Sequence, residues 1–201
     1  MQASPPPPQP TPWSAAFARD GYLKVEGLLS PAQAADTRRY MEKRLAENGF
    51  VVDVTLGIPF TDFYGDARLD SLMAALLPKV EYCSGLWLYP TYSYGRAYRR
   101  SDRLPRHRDR PACEVSISLN LGQTPDEPWP LYVLDRNNNP AAALLRPGDA
   151  LLYRGIELTH WRDPYPGEAL FQVFMHYVDR NGPHANERFD RRESLGTPAV
   201  R

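Results

Sequence analysis

Apolar residues recur at helical spacing through the first third of the chain and at strand spacing after it, so the pattern predicts helices first and a β-rich core second. Residues 13–21 read as a short helix stopped by Gly21, and residues 22–26 alternate like a strand. Ser30-Pro31-Ala32-Gln33 is a helix-start signal: Ser30 can cap, Pro31 suits the first helical position, and Gln33 can complete a capping box. That helix is expected to run to about Glu47 and end at Asn48-Gly49. A further helix over 66–77 would align Leu69, Leu72, Met73 and Leu76 and end before Pro78. Segments 86–98, 114–121, 130–134, 142–145, 150–153 and 170–178 are rich in Leu, Val, Tyr and Phe, with turn formers such as Asn139-Pro140, Pro147-Gly148-Asp149 and Pro166-Gly167 between them. The order predicts a mainly β domain, a sandwich or barrel, braced by N-terminal helices.

One strand is informative in its polarity. Cys113, Val115, Ile117, Leu119 and Leu121 fall on one face, and Glu114, Ser116, Ser118 and Asn120 on the other. Such a strand can turn its polar face to water, or pack its apolar face on the helices while the polar face lines a wet cavity.

Composition narrows the classes. A chain of 201 residues fits one domain, and 24 Lys plus Arg against 24 Asp plus Glu argue against nucleic acid or an anionic membrane as a partner. Cys83 and Cys113, in a chain with no apolar signal segment, predict free thiols and a reducing, cytoplasmic setting. No apolar run approaches the ~18 residues of a membrane span. Six of the first 12 residues are proline, so residues 1–12 are expected to be a disordered leader. Residues 13–80 then form helical support, 81–180 the β core, and 181–201 a polar, loosely packed tail.

The candidate chemistry lies around that polar strand. His107 and Asp109 are at i and i+2, so on extended backbone they point the same way, and His160 arrives on a later strand. Two imidazoles and a carboxylate form a facial triad with open positions, the arrangement expected for non-haem Fe(II) oxygenases. A lone His-x-Asp is weak evidence by itself. Of the remaining histidines, His176 lies in an apolar strand and reads as core or cavity wall, and His184 reads as solvated. Seven arginines stand between Arg96 and Arg110, as a solvated loop or as the lining of a mouth that attracts an anion.

The order of elements (helices, a Tyr-bearing strand, His-x-Asp, a strand, a hairpin, Pro-Gly-Asp and a distal His) resembles the iron(II)/2-oxoglutarate-dependent oxygenases, in their prolyl-4-hydroxylase-like and phytanoyl-CoA-hydroxylase-like branch. The segments 17–30 and 146–153 carry the likeness further. The resemblance implies a double-stranded β-helix, a jelly-roll, cupin-like core with Fe(II) on His107, Asp109 and His160. It also implies 2-oxoglutarate and O2 as cosubstrates, hydroxylation of a C–H bond, and release of succinate and CO2. Tyr98 and Asn120 stand where relatives contact 2-oxoglutarate, with Ser116 and Ser118 further along the same wall. The family's basic anchor for the distal carboxylate, nine to eleven residues past the distal histidine, is replaced by Ala169-Leu170-Phe171. The replacement expected from this likeness is Arg162, with Arg96 second; Arg162 would otherwise be a surface partner of Asp163 or Glu168. The substrate is expected to be a small molecule or a peptidyl side chain. Competing readings are a cupin-like metalloenzyme that does not use 2-oxoglutarate and a non-catalytic barrel that binds an anionic partner.

Overall fold

Helix α1 (Pro12–Asp20) starts where local chemistry dictates: the Thr11 hydroxyl accepts the Ser14 N–H, Ser14 returns the bond to the Thr11 backbone, and Pro12 sits at the first position. The computed structural model describes residues 8–48, 51–53, 58–60 and 63–197. The leader expected over residues 1–12 therefore ends earlier, since Thr11 and Pro12 belong to the helix, and residues 1–7 lie outside the described residues. Strand β1 (Tyr22–Val25) follows Gly21, whose left-handed φ of 80° closes the helix. Helix α2 (Pro31–Asn48) forms its expected capping box, Ser30 N–H and hydroxyl to Gln33 Oε1 and Gln33 N–H back to Ser30 Oγ. Its expected stop at Gly49 lies outside the described residues.

A hairpin of β2 (Val51–Asp53) and β3 (Ile58–Phe60) precedes α3 (Ala67–Ser84). Here the structure corrects the sequence reading, because α3 does not stop before Pro78 but continues to Ser84 and closes on Gly85. Past Pro78 the apolar face goes on through buried Val80 and Cys83, while buried Glu81 accepts the Leu88 N–H at 2.9 Å. Packing of that extra turn outweighs the one backbone hydrogen bond proline removes.

The strands form two antiparallel sheets. The larger runs in the order β1, β9 (Ala150–Tyr153), β6 (Val115–Thr124), β11 (Ala169–Asp179), β4 (Leu88–Arg99). The smaller runs β5 (Leu104–His107), β10 (His160–Arg162), β7 (Leu131–Leu134), β8 (Pro140–Ala143). Face to face they make a double-stranded β-helix. The three helices cover the outside of the larger sheet through one core that joins Phe17, Met41 and Met73 to Val115, Ile117 and Val173. The strand β6 is buried on both faces, so its polar face looks into the barrel. Gly148, in the Pro-Gly-Asp turn, takes a φ of +94° and lies against the Leu29 carbonyl with no room for a Cβ.

The tail is not loosely packed. Short 3-10 turns over Ala185–Arg191 lead to Arg192, whose buried guanidinium meets the equally buried Asp70 of α3 at 2.9 Å. Both cysteines are free and buried, and no helix among the described residues is long and apolar enough to cross a membrane.

Candidate active site

Strands β5 and β10 pair with His107 opposite His160, which sets the two imidazoles on the same side of the smaller sheet with ring centroids 4.2 Å apart. Asp109 follows β5 in a loop held by its own N–H to the Gly155 carbonyl at 2.9 Å. Its Oδ1 lies 3.3 Å from His107 Nε2 and 3.6 Å from His160 Nε2. Gly155 is needed there, because a Cβ would run into Asp109 Oδ2 and the Cys113 carbonyl.

The tautomers are fixed from behind. His107 Nδ1 is 2.8 Å from the Pro105 carbonyl and His160 Nδ1 is 3.1 Å from the Leu158 carbonyl; a carbonyl only accepts, so each Nδ1 carries the proton. Both Nε2 lone pairs are thereby aimed at the space beside Asp109, as a metal-ligating histidine requires. Burial disfavours charge on all three groups. It wins at His160, whose pKa falls despite nearby Asp109. At His107 the Asp109 and Pro105 hydrogen bonds overcome it and the pKa rises, while at Asp109 the bond from His107 and the other nearby histidines overcome it and the pKa falls. The three donors lie within 4.8 Å of one another.

Behind Asp109 sits a polar cluster from the inward face of β6 and β11. Ser116 Oγ is 3.3 Å from Asp109 Oδ2 and 2.8 Å from His176 Nδ1. The Tyr92 ring packs at a tilt against His176, centroids 4.6 Å apart, and its hydroxyl lies 3.2 Å from Cys113 Sγ. Burial drives the His176 pKa from the usual 6.5 to about 4. An unfolded chain protonates that histidine near 6.5, so the unfolded state binds more protons below this pH. Stability of the metal-free protein is expected to fall by up to about 3 kcal/mol between pH 6.5 and 4. Urea unfolding across that range should show this loss, and His176→Asn should flatten it.

The site opens into a cavity of about 410 Å³, lined by Tyr64, Tyr92, Tyr94 and Phe174 on its aromatic side and by Arg96 and Arg110. Arg96 is buried, yet among the described residues it has no carboxylate partner; its Nη2 only grazes the Arg103 carbonyl at 3.5 Å, and its Nε is unpaired. Its guanidinium lies 4.1 Å over the Tyr98 ring, and the fully buried Tyr98 hydroxyl is also unpaired. Two guanidinium and phenol donors left open in the interior are costly unless an anion completes them.

Two other expected contacts are placed elsewhere. Arg162 is wholly buried, not a surface group, and does not line the cavity. Its Nη1 donates to the Trp129 carbonyl at 2.6 Å and its Nη2 to Gln172 Oε1 at 3.1 Å, its buried Nε is unpaired like that of Arg96, and burial lowers its pKa to about 10. Gln172, inward on β11 and also bonded to Ser118 Oγ, holds a neutral amide between Arg162 and the barrel wall. Asn120 faces inward too, but its amide donates to Gln123 and to the Leu145 carbonyl at 2.7 Å and accepts the Gly122 N–H. Arg110, unread in the sequence beyond its place in the arginine run, stands at the mouth. Its signal was adjacency to Asp109. His184, expected to be solvated, is half-buried at the start of the 3-10 turns of the tail and makes no side-chain capping bond there.

No protein-family model and no curated protein matches the chain. Among solved structures, the α-ketoglutarate-dependent epimerase SnoN of nogalamycin biosynthesis matches at 18% identity and a TM-score of 0.68, over 83% of this chain and 79% of its own. A Pseudomonas putida prolyl-4-hydroxylase matches at 16% and 0.68, over 84% and 97%. EctD from S. alaskensis, solved with 2-oxoglutarate and 5-hydroxyectoine, matches at 15% and 0.66, over 89% and 79%. The chain has the double-stranded β-helix fold on which these non-haem iron, 2-oxoglutarate-dependent enzymes are built.

Proposed function

We propose that the chain is an Fe(II)/2-oxoglutarate-dependent oxygenase that hydroxylates a C–H bond of a small molecule or peptidyl side chain and releases succinate and CO2. The observation that carries this reading is one cavity with two kinds of incomplete group: three metal donors aimed at one point, and a buried arginine with no counter-ion among the described residues. His107 and His160 would hold Fe(II) through Nε2, and Asp109 would hold it through its carboxylate. A metal there would supply the redox chemistry together with 2-oxoglutarate and O2.

The remaining work belongs to the chain. Pro105 and Leu158 carbonyls keep the two imidazoles in the ligating tautomer. Arg96, from β4, would neutralise the far carboxylate of 2-oxoglutarate in the role first expected of Arg162, which does not line the cavity and whose two Nη groups are held by the Trp129 carbonyl and Gln172. Tyr98 supports it from beneath and offers the unpaired hydroxyl. Tyr92, Tyr94 and Phe174 exclude water from the reacting space.

Succinate release that needs both 2-oxoglutarate and Fe(II) tests the reading. A metalloenzyme of another kind would bind iron and yield no succinate, and a binding module would need no metal. The anchor has its own test in anaerobic calorimetry. Arg96→Ala is expected to weaken 2-oxoglutarate binding about ten- to a hundredfold, as loss of a charge-assisted pair worth roughly 1.5–3 kcal/mol implies. Arg162→Ala is expected to lower the melting temperature and change that affinity far less. The reverse pattern would return the role to Arg162.

A further inference from the structure

The tail places a carboxylate at the mouth of the cavity. Asp190 makes a two-pronged ion pair with Arg110, Oδ1 to Nη1 at 2.7 Å and Oδ2 to Nη2 at 2.9 Å. The Arg110 guanidinium lies 4.7 Å over the Tyr92 ring, so it rests against the aromatic wall, and it follows Asp109 in sequence. Its side chain remains 46% exposed, open to an incoming molecule, while that of Asp190 is 11% exposed.

The backbone that delivers Asp190 is strained. Phe189, Asp190 and Arg191 have φ values of 56°, 54° and 61°, three successive non-glycine residues in the left-handed region. Such strain persists only where the surroundings impose it, and here the Arg192–Asp70 anchor follows directly. Burial also raises the Asp190 pKa, although Arg192 and Arg191 pull the other way. The pair therefore sets a well-positioned, partly exposed Arg fork against a carboxylate that is held there at a cost.

We propose that Asp190 is a built-in stand-in for an anionic group of the substrate, and that a substrate carboxylate displaces it on Arg110 while the substrate's apolar part lies on the wall formed by Tyr64, Tyr92, Tyr94 and Phe174. This rests on the oxygenase reading above and adds the substrate class: a small carboxylate with a flat or apolar body. Arg96 is not the receptor, because it lies buried at the end assigned to the cosubstrate. Arg110 fits the new role because a planar guanidinium reads a carboxylate through two parallel bonds.

The test uses the full chain loaded anaerobically with Fe(II) and saturating 2-oxoglutarate, with benzoate as the probe and benzamide as its neutral counterpart. Calorimetric titration with 2-oxoglutarate comes first: no binding there sinks the oxygenase reading itself. With the cosubstrate bound, Asp190→Asn is expected to bind benzoate at least tenfold more tightly than wild type, with benzamide unchanged. Adding Arg110→Gln should abolish the gain. Equal or weaker benzoate binding by Asp190→Asn, or an equal gain for benzamide, overturns the stand-in role and leaves the oxygenase reading untouched. Should Asp190→Asn not fold, Arg110→Gln alone decides: wild type should prefer benzoate to benzamide and the variant should not, and identical selectivity in the two rejects Arg110 as the receptor.

Discussion

Reconstituted anaerobically, the wild type is expected to bind one Fe(II), and His107→Ala, His160→Ala and Asp109→Ala each to lose it. Each substitution removes one of three donors that converge within 4.8 Å, and the remaining two cannot hold a labile divalent ion in competition with water. Loss of a partner behind a ligand typically costs about ten- to a hundredfold in metal affinity, so loss of a ligand should exceed that range. Ser116→Ala, which touches Asp109 Oδ2 without being a donor itself, supplies the internal comparison and should fall within it. The substitutions at His107 and Asp109 should leave the melting temperature of the metal-free protein nearly unchanged, because these side chains sit at a cavity wall and not in the apolar core. Stoichiometric iron retained by both His107→Ala and His160→Ala would falsify the triad.

The parts of this site that the sequence discloses are those governed by short-range periodicity. His107 and Asp109 are two apart on extended chain, and the inward face of β6 is a matter of alternation, so both could be read directly. Asn120 shares that inward face, yet the register between β6 and β11 shifts just beyond it, and its amide is taken up within that irregularity by the Gly122 N–H, Gln123 and the Leu145 carbonyl. Alternation gives a side and not a partner. Arg162 stands out in the sequence by its nearness to His160, whereas Arg96 reaches the cavity from a strand that pairs with β11, opposite Gln172. That pairing joins residues far apart in the chain, and no local pattern encodes it. The continuation of α3 past Pro78 and the docking of the tail have the same origin, since in each case a long-range contact overrides a strong local signal. The Arg110–Asp190 pair spans the β core and the tail and was equally out of sight.

The largest expected effect on stability lies in that tail. Asp70 is fully buried in the middle of the fold: its Oδ1 accepts the Ser93 N–H and hydroxyl at 3.0 and 2.7 Å, and its Oδ2 accepts Arg192 Nη1 at 2.9 Å and the Gly196 N–H at 2.8 Å. Arg192 in turn donates to the Thr91 and Phe189 carbonyls, so one guanidinium ties α3, β4 and the last described turn together. Removing one partner of a buried pair leaves the other charge uncompensated, and such losses run to roughly 3–5 kcal/mol. Arg192→Met, which keeps most of the apolar stem, is therefore expected to lower unfolding stability by about that amount. Asp70→Asn, which keeps the shape and two of the hydrogen bonds but not the charge, should do the same. The double variant should be less destabilised than the sum of the two, because neither group is then left charged and alone. Denaturant unfolding of the four proteins gives the coupling directly. A near-zero coupling, with each single loss below about 1 kcal/mol, would mean that the tail rests on the surface without being anchored through this pair.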